Sequence, residues 1–419
     1  MKVLIIGKGG REHALAWKFA ASAQVSQIFV AEGNPACELL DKVSCINLKS
    51  IDELTKFAKQ EQINLTFVGS EDLLVAGIVD EFEQHQLKIF GPNKFAAQLE
   101  GSKVFAKDFM QKYGVKTAKY QNFTEAELAI AYLDEMSLPV VVKASGLAAG
   151  KGVIIAQTKA EAITAINQIL IDKVFGDSGN EIVIEEFLDG VEASILSFTD
   201  SKVILPFISA KDHKKIGDGE VGLNTGGMGV IAPNPYVTAA VNQAFITDIL
   251  EPTLAGIKAE QMNFAGVIFF GLMITKDGVY LLEYNMRMGD PETQAVLPLL
   301  NDDLFNLVNL AIERKLSTAE VSWKSGATCC VVLASGGYPL EFAKNIAING
   351  IKEFSAQDTQ VFAAGVGSSA AGAFVTNGGR VLNVVAYGED LVSAHEKAYA
   401  GIKQISFTGM YYRNEIETP

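Results

Sequence analysis

A carboxylate, an amide and a guanidinium stand at alternate positions in the second half of this chain, as Glu283, Asn285 and Arg287. Side chains alternate across a β-strand, so an extended segment turns all three to one face. The two oxygen-bearing groups suit a hard cation such as Mg2+, and the guanidinium can steady an anion beside it. Gly289 and Pro291 then end the strand and aim Asp290 and Glu292 into the same neighbourhood. The pattern predicts the floor of a site where metal-bound phosphate meets a second anion. A solvated strand end with surface ion pairs is the plain alternative for this segment alone.

Four further segments carry polar chemistry. Gly7-Lys8-Gly9-Gly10-Arg11-Glu12-His13 follows an apolar strand and opens a helix, where backbone N–H groups favour an anion. Glu12 occupies the third glycine position of the dinucleotide fingerprint, where it is expected to block close helix–strand packing and repel a pyrophosphate. A single phosphate fits better, and a turn needed only for folding is the alternative. The run from Lys143 to Gly152 resembles a P-loop, but Gly146 to Gly150 is one residue short and Gly152 replaces the hydroxyl residue. What remains is a flap whose N–H groups and Lys151 can fold over a triphosphate, with Lys143 pointing a cation to the same place. Glu185-Glu186-Phe187-Leu188-Asp189-Gly190-Val191-Glu192 ends a strand with acids, and its edge can pair with an adenine ring or bind ribose hydroxyls. Lys211-Asp212-His213-Lys214-Lys215 precedes the glycine-rich loop from Gly222 to Gly229, whose backbone can approach a ligand closely. His213 is read as a structural or phosphate-contacting histidine, since no Ser or Cys nucleophile pattern accompanies it.

The elements that position these groups follow an α/β rhythm. Residues 3–6, 27–30, 65–68 and 88–90 read as short buried strands with helices between them, which implies a parallel Rossmann-like sheet. Residues 102–113 read as a helix capped by Ser102 and stopped by Gly114. Residues 139–143 and 152–156 suggest a hairpin around the flap. Residues 181–187, 192–199, 203–210, 265–274 and 278–284 read mostly as neighbours in one antiparallel sheet, and a small mixed segment begins near 326. The expected domains are 1–101, 102–325 with a flap subdomain at about 115–190, and 326–419.

Composition narrows the function classes. A net charge of −14 argues against nonspecific nucleic-acid binding, though a local cluster can still hold a phosphorylated ligand. No run of about eighteen apolar residues predicts a membrane helix. The N-terminus reads straight into a strand, without a signal-peptide pattern. The four cysteines show no C-x-x-C spacing and fit reduced thiols in a cytoplasmic protein.

In this order the motifs resemble those of the ATP-grasp enzymes and, more closely, the glycinamide ribonucleotide synthetases. The carriers are the Gly7–His13 turn, Lys143 to Val153, Asp212 to Lys215, Asn224 to Gly229, and Glu283 to Glu292. Departures are modest: Gly69-Ser70-Glu71-Asp72-Leu73-Leu74 stands where the family usually reads Gly-Pro-Glu-Ala-Pro-Leu, near the expected phosphoribosylamine pocket. Leu223 replaces a common proline, Lys215 a usual arginine and Met288 a usual phenylalanine.

The resemblance implies a pre-ATP-grasp domain, an ATP-grasp domain and a C-terminal domain. It implies that glycine attacks the γ-phosphate of ATP to give glycyl phosphate, and that 5-phosphoribosylamine displaces phosphate. Glu283 and Asn285 would hold Mg2+ or Mn2+. Lys103, Lys143, Lys151 and the flap glycines Gly146, Gly150 and Gly152 would contact ATP, with Arg287 spreading charge. Glu185, Glu186, Phe187, Leu188 and Glu192 would line the adenosine pocket. Asp212 would take glycine's ammonium, with His213, Asn224, Thr225, Gly226, Gly227 and Asp290 nearby. Lys214, Gly9, Gly10 and Arg11 would serve the ribose phosphate. The expected enzyme is a cytoplasmic monomer in transient contact with the enzyme that supplies phosphoribosylamine. Rival readings are another ATP-grasp carboxylate–amine ligase, a nucleotide-dependent dehydrogenase and a catalytically inactive nucleotide-binding protein.

Overall fold

A computed structural model describes residues 1–148 and 151–416. Five parallel strands form the first sheet, in the order Val43–Ile46, Gln27–Ala31, Lys2–Ile6, Leu65–Val68, Ile89–Phe90. The strand Val43–Ile46 was not expected; it is four residues long and three of them are half-exposed, so it lacks a buried apolar run. The first strand sits in the middle because successive crossovers step away from it to either side. The crevice at its carboxyl end is therefore a topological switch point.

Eight antiparallel strands form the second sheet. Their order is Gly278–Asn285, Gly266–Thr275, Val191–Thr199, Ile204–Asp212, Gly229–Ala232, Ala327–Ala334, Arg380–Gly388, Thr359–Ala363. The strands on either side of residue 326 thus belong to one sheet. A separate four-stranded sheet, Tyr120–Phe123, Ile182–Glu186, Val140–Ala144, Val153–Ala156, carries the flap hairpin. Residues 182–186 belong to this sheet and not beside Val191–Thr199, because Asp189 and Gly190 lie in an intervening loop that carries the chain from one sheet to the other.

Local signals act as expected around the helix Lys103–Tyr113. Ser102 Oγ accepts from Phe105 N at 3.2 Å, and Gly114 takes φ of 72° at its end. No helix among the described residues is long and apolar enough to cross a membrane. All four cysteines are free thiols.

Candidate active site

The strand Gly278–Asn285 delivers its polar groups through a bulge. Gly271 pairs with Glu283 and Leu272 with Leu281, so Leu282 is an extra residue. Val279 and Leu281 pack in the apolar cluster below the sheet, and so do Tyr284 and Met286. Strict alternation would have put Glu283 in that cluster with Val279 and Leu281. The extra residue shifts the phase and turns Glu283 and Asn285 to the opposite face, while Arg287 follows just beyond the strand end.

Glu283 stands among cations. Burial opposes its ionisation, but Lys103, Lys214, Lys143 and Arg287 together hold its carboxyl below the usual range. Lys103 is brought here by the helix start, where its N–H donates to Ser145 O at 2.8 Å. Burial draws its pKa down. Arg287 is braced by acids from the first hundred residues of the chain: Glu71 Oε2 lies 3.4 Å from Nε and Glu100 Oε1 3.1 Å from Nη2. Glu100 also accepts Met286 N at 2.6 Å, which fixes the turn after the strand.

Lys143 lies 6% exposed inside its strand, with Nζ 2.9 Å from Glu185 across the flap sheet. Lys107 reaches the same carboxylate at 3.2 Å and donates to Thr117 Oγ1 at 2.7 Å. Burial pushes the Lys107 pKa down to about 8, against the pull of Glu185. Lys107 was not singled out from sequence, although it sits one helical turn after Lys103 on the same helix face. Glu186 Oε1 accepts Lys119 N at 2.8 Å, Phe187 is 37% exposed, and Leu188 and Glu192 are half-buried. Gly146 packs where a Cβ would fall 2.6 Å from the Ser178 backbone, and a Cβ on Gly152 would meet Ala148 at 2.8 Å. Lys151 is exposed, and its N–H donates to Ala148 O at 2.9 Å. Gly150 lies outside the described residues.

Asp212 ends the strand Ile204–Asp212 facing the glycine-rich loop. Its Oδ1 is buried and makes no hydrogen bond among the described residues. Burial, with Glu292 and Glu192 near, raises its pKa well above the usual carboxyl range, although Lys214 and Arg380 pull the other way. Lys214 Nζ is 2.5 Å from Glu192 Oε2. Burial opposes its charge, yet Glu192, Glu283 and Asp212 raise its pKa. His213 is 1% exposed, its Nδ1 lies 3.2 Å from Gly229 O, and burial lowers its pKa to about 3. Its ring is therefore neutral near pH 7. Thr225 N and Oγ1 both donate to Lys214 O at 2.8 Å, while Asn224 is exposed on the hairpin Lys215–Gly217/Val221–Asn224.

The glycine turn is occupied by protein carboxylates. Gly9 N donates to Glu12 Oε2 at 2.7 Å and Arg11 N to Asp290 Oδ2 at 3.3 Å. The Arg11 guanidinium bonds Glu12 and donates to Met288 O at 2.9 Å. Glu12 does not block helix packing as expected; its carboxylate is 1% exposed and seated where Cβ atoms on Gly7 or Gly69 would collide with it. Gly10 presses against Gln294 and Asn383, where a Cβ would lie 2.6 and 2.4 Å from their amide nitrogens. Asp290 accepts Gln294 Nε2 at 2.8 Å and lies 3.4 Å from Arg380 Nη2. Burial opposes its charge, but Arg380 and Arg11 keep its pKa low. Arg380, Gln294 and Asn383 had no local sequence signal, because each meets the site only through sheet and helix packing.

Comparisons with known proteins cover the whole chain. Three family models match in order: the phosphoribosylglycinamide synthetase N domain over 1–100, its ATP-grasp (A) domain over 101–293, and its C domain over 328–418. A phosphoribosylamine–glycine ligase from Fusobacterium nucleatum is 58% identical, covering 100% of this chain and 98% of its own. One from Clostridium acetobutylicum is 53% identical over 99% of each. The crystal structure of a phosphoribosylamine–glycine ligase from Thermotoga maritima aligns with TM-score 0.87 at 32% identity over 100% of both chains. A biotin carboxylase domain from Hydrogenobacter thermophilus aligns with TM-score 0.74 at 15% identity, over 98% of this chain and 91% of that one, and shares the fold.

Proposed function

The chain belongs to the phosphoribosylglycinamide synthetase family, and on that premise we propose how its own residues join glycine to 5-phosphoribosylamine with conversion of ATP to ADP and phosphate. The supporting observation is the cation ring of Lys103, Lys143, Lys214 and Arg287 around Glu283, beside the unpartnered Asp212 oxygen. Lys103, Lys143, Lys151 and the flap glycines Gly146, Gly150 and Gly152 border the phosphates, the Gly146 N–H itself being engaged by Ser178 O at 2.9 Å, while Glu185, Glu186, Phe187, Leu188 and Glu192 border the adenosine. Asp212 takes glycine's ammonium, with Asn224, Thr225, Gly226 and Gly227 forming the wall. Burial makes ionisation of Asp212 costly, so a substrate ammonium beside it would favour the charged carboxylate. Gly9, Gly10 and Arg11, braced by Asp290, border the ribose phosphate, with Lys214 near.

Among the described residues, no group of three or more His, Cys, Asp or Glu side chains could hold a metal ion. Glu283 and Asn285 offer hard oxygen donors on one face of the strand and would hold Mg2+ or Mn2+. Such an ion would neutralise charge on the phosphate oxygens. A glycine carboxylate oxygen attacks the γ-phosphorus as the bond to ADP breaks. The phosphoribosylamine nitrogen then attacks the glycyl carbonyl carbon, the C–O bond to phosphate breaks, and the proton lost by the nitrogen leaves with the phosphate. Arg287, held rigid by Glu71 and Glu100, is pre-oriented toward the charge that develops. Closure of the flap keeps water from the acyl phosphate. The enzyme acts in the cytoplasm as three domains, 1–101, 102–325 and 326–419, in transient contact with the source of its amine. ADP release is the test: it should require glycine and phosphoribosylamine together. Release driven equally by bicarbonate would place the chain with another carboxylate ligase.

A further inference from the structure

Gly226 is gripped at both its N–H and its C=O by side chains from beyond residue 326. Its N–H donates to the Tyr338 hydroxyl at 3.0 Å, and its C=O accepts from Arg380 Nη1. The same Nη1 donates to Asp290 O at 2.8 Å, and Nη2 lies 3.4 Å from Asp290 Oδ1. One planar, permanently charged fork therefore ties the glycine-rich loop to the turn after the Glu283 strand. The loop has little slack. Gly227 adopts φ of +109°, and a Cβ there would fall 2.6 Å from both Asp212 Oδ1 and Pro291 Cδ. The backbone at Gly227 thus packs directly against the buried, unpartnered Asp212 Oδ1, and the placement of Gly226 and Gly227 sets how closely the loop approaches that oxygen.

We propose that Arg380 and Tyr338 are positioning residues that hold this loop at one distance from Asp212, so that the amino-acid pocket accepts glycine and rejects an amino acid bearing a Cβ. The inference rests on the assignment of Asp212 to the substrate ammonium. A lysine at 380 keeps the charge but cannot span three oxygens with a planar fork, so charge alone does not restore the geometry.

The test compares full-length Arg380→Gln, Arg380→Lys, Tyr338→Phe and Asp212→Asn with the natural chain. ADP release is followed with glycine or L-alanine varied at saturating ATP and phosphoribosylamine, and KM for ATP and thermal midpoints are measured beside it. Loss of a charge-assisted bond at Arg380→Gln should raise the glycine KM about tenfold and erode the preference for glycine over alanine. Tyr338→Phe should move both in the same direction by less, Arg380→Lys should recover only part, and KM for ATP should hold. An unchanged glycine KM and preference in folded Arg380→Gln and Tyr338→Phe overturns the proposal, as does an equal rise in KM for ATP. If Arg380→Gln does not fold, Tyr338→Phe, which removes one hydroxyl, decides. Where Asp212→Asn raises the glycine KM and the clamp variants do not, the clamp alone fails. Where Asp212→Asn also leaves it unchanged, the assignment of the glycine pocket fails first.

Discussion

Glu185→Gln removes one negative charge from between two buried lysines. The Glu185 carboxylate is 2% exposed, with Lys143 at 2.9 Å and Lys107 at 3.2 Å, their side chains 7% and 3% exposed. Breaking a buried pair from one side strands charge without a partner, which costs about 3–5 kcal/mol. With an unfolding entropy of about 2.1 cal/mol/K per residue, a 419-residue chain unfolding as one unit should lose about 3–6 °C in Tm. The pH dependence is more telling. Burial already holds Lys107 at about 8, below an unfolded lysine value of about 10.4. The unfolded chain therefore binds more protons between these values, and wild-type stability rises with pH through that window. Without Glu185 the folded pKa of Lys107 drops further, so the variant loses that proton at lower pH. Its deficit should be largest near pH 6 and narrow toward about pH 9, with the loss of the Lys143 pair keeping it above zero. Urea unfolding followed by circular dichroism at about pH 6, 7.5 and 9 measures it, with Lys107→Met/Glu185→Gln closing the cycle. A deficit below about 1 kcal/mol throughout, or one constant across that range, refutes the reasoning.

Two other expectations bear on the chemistry. Glu283→Ala should lower ligase turnover by about a hundred- to a thousandfold while circular dichroism and metal-free Tm show a folded protein, and near-normal turnover would mean the metal assignment is wrong. His213 should stay neutral down to a pKa of about 3. Its ring resonances should not titrate near neutral pH, and an NMR midpoint close to about 6.5 would contradict its burial.

Much of this protein can be read from short stretches of chain. A strand that runs into glycines and then a helix, a serine three residues before its hydrogen-bond partner, and two apolar runs around a glycine-rich flap are set by neighbouring residues. Local steric and hydrogen-bond rules therefore suffice for them. The oxygens of Glu283 and Asn285 were legible for the same reason. The face they occupy was not, since the bulge at Leu282 comes from pairing with Gly271 and Leu272 in another strand. Glu12 reads as an obstacle until Gly69, just past the end of a different strand, is seen to leave it room. Arg287 gains Glu71 and Glu100, and Gly226 gains Arg380 and Tyr338, across separations that no periodic pattern encodes. The chain's own order thus determined which chemical groups are present and which local elements carry them. Only tertiary packing decided their partners, because distance and burial, not sequence spacing, govern the electrostatics of a site.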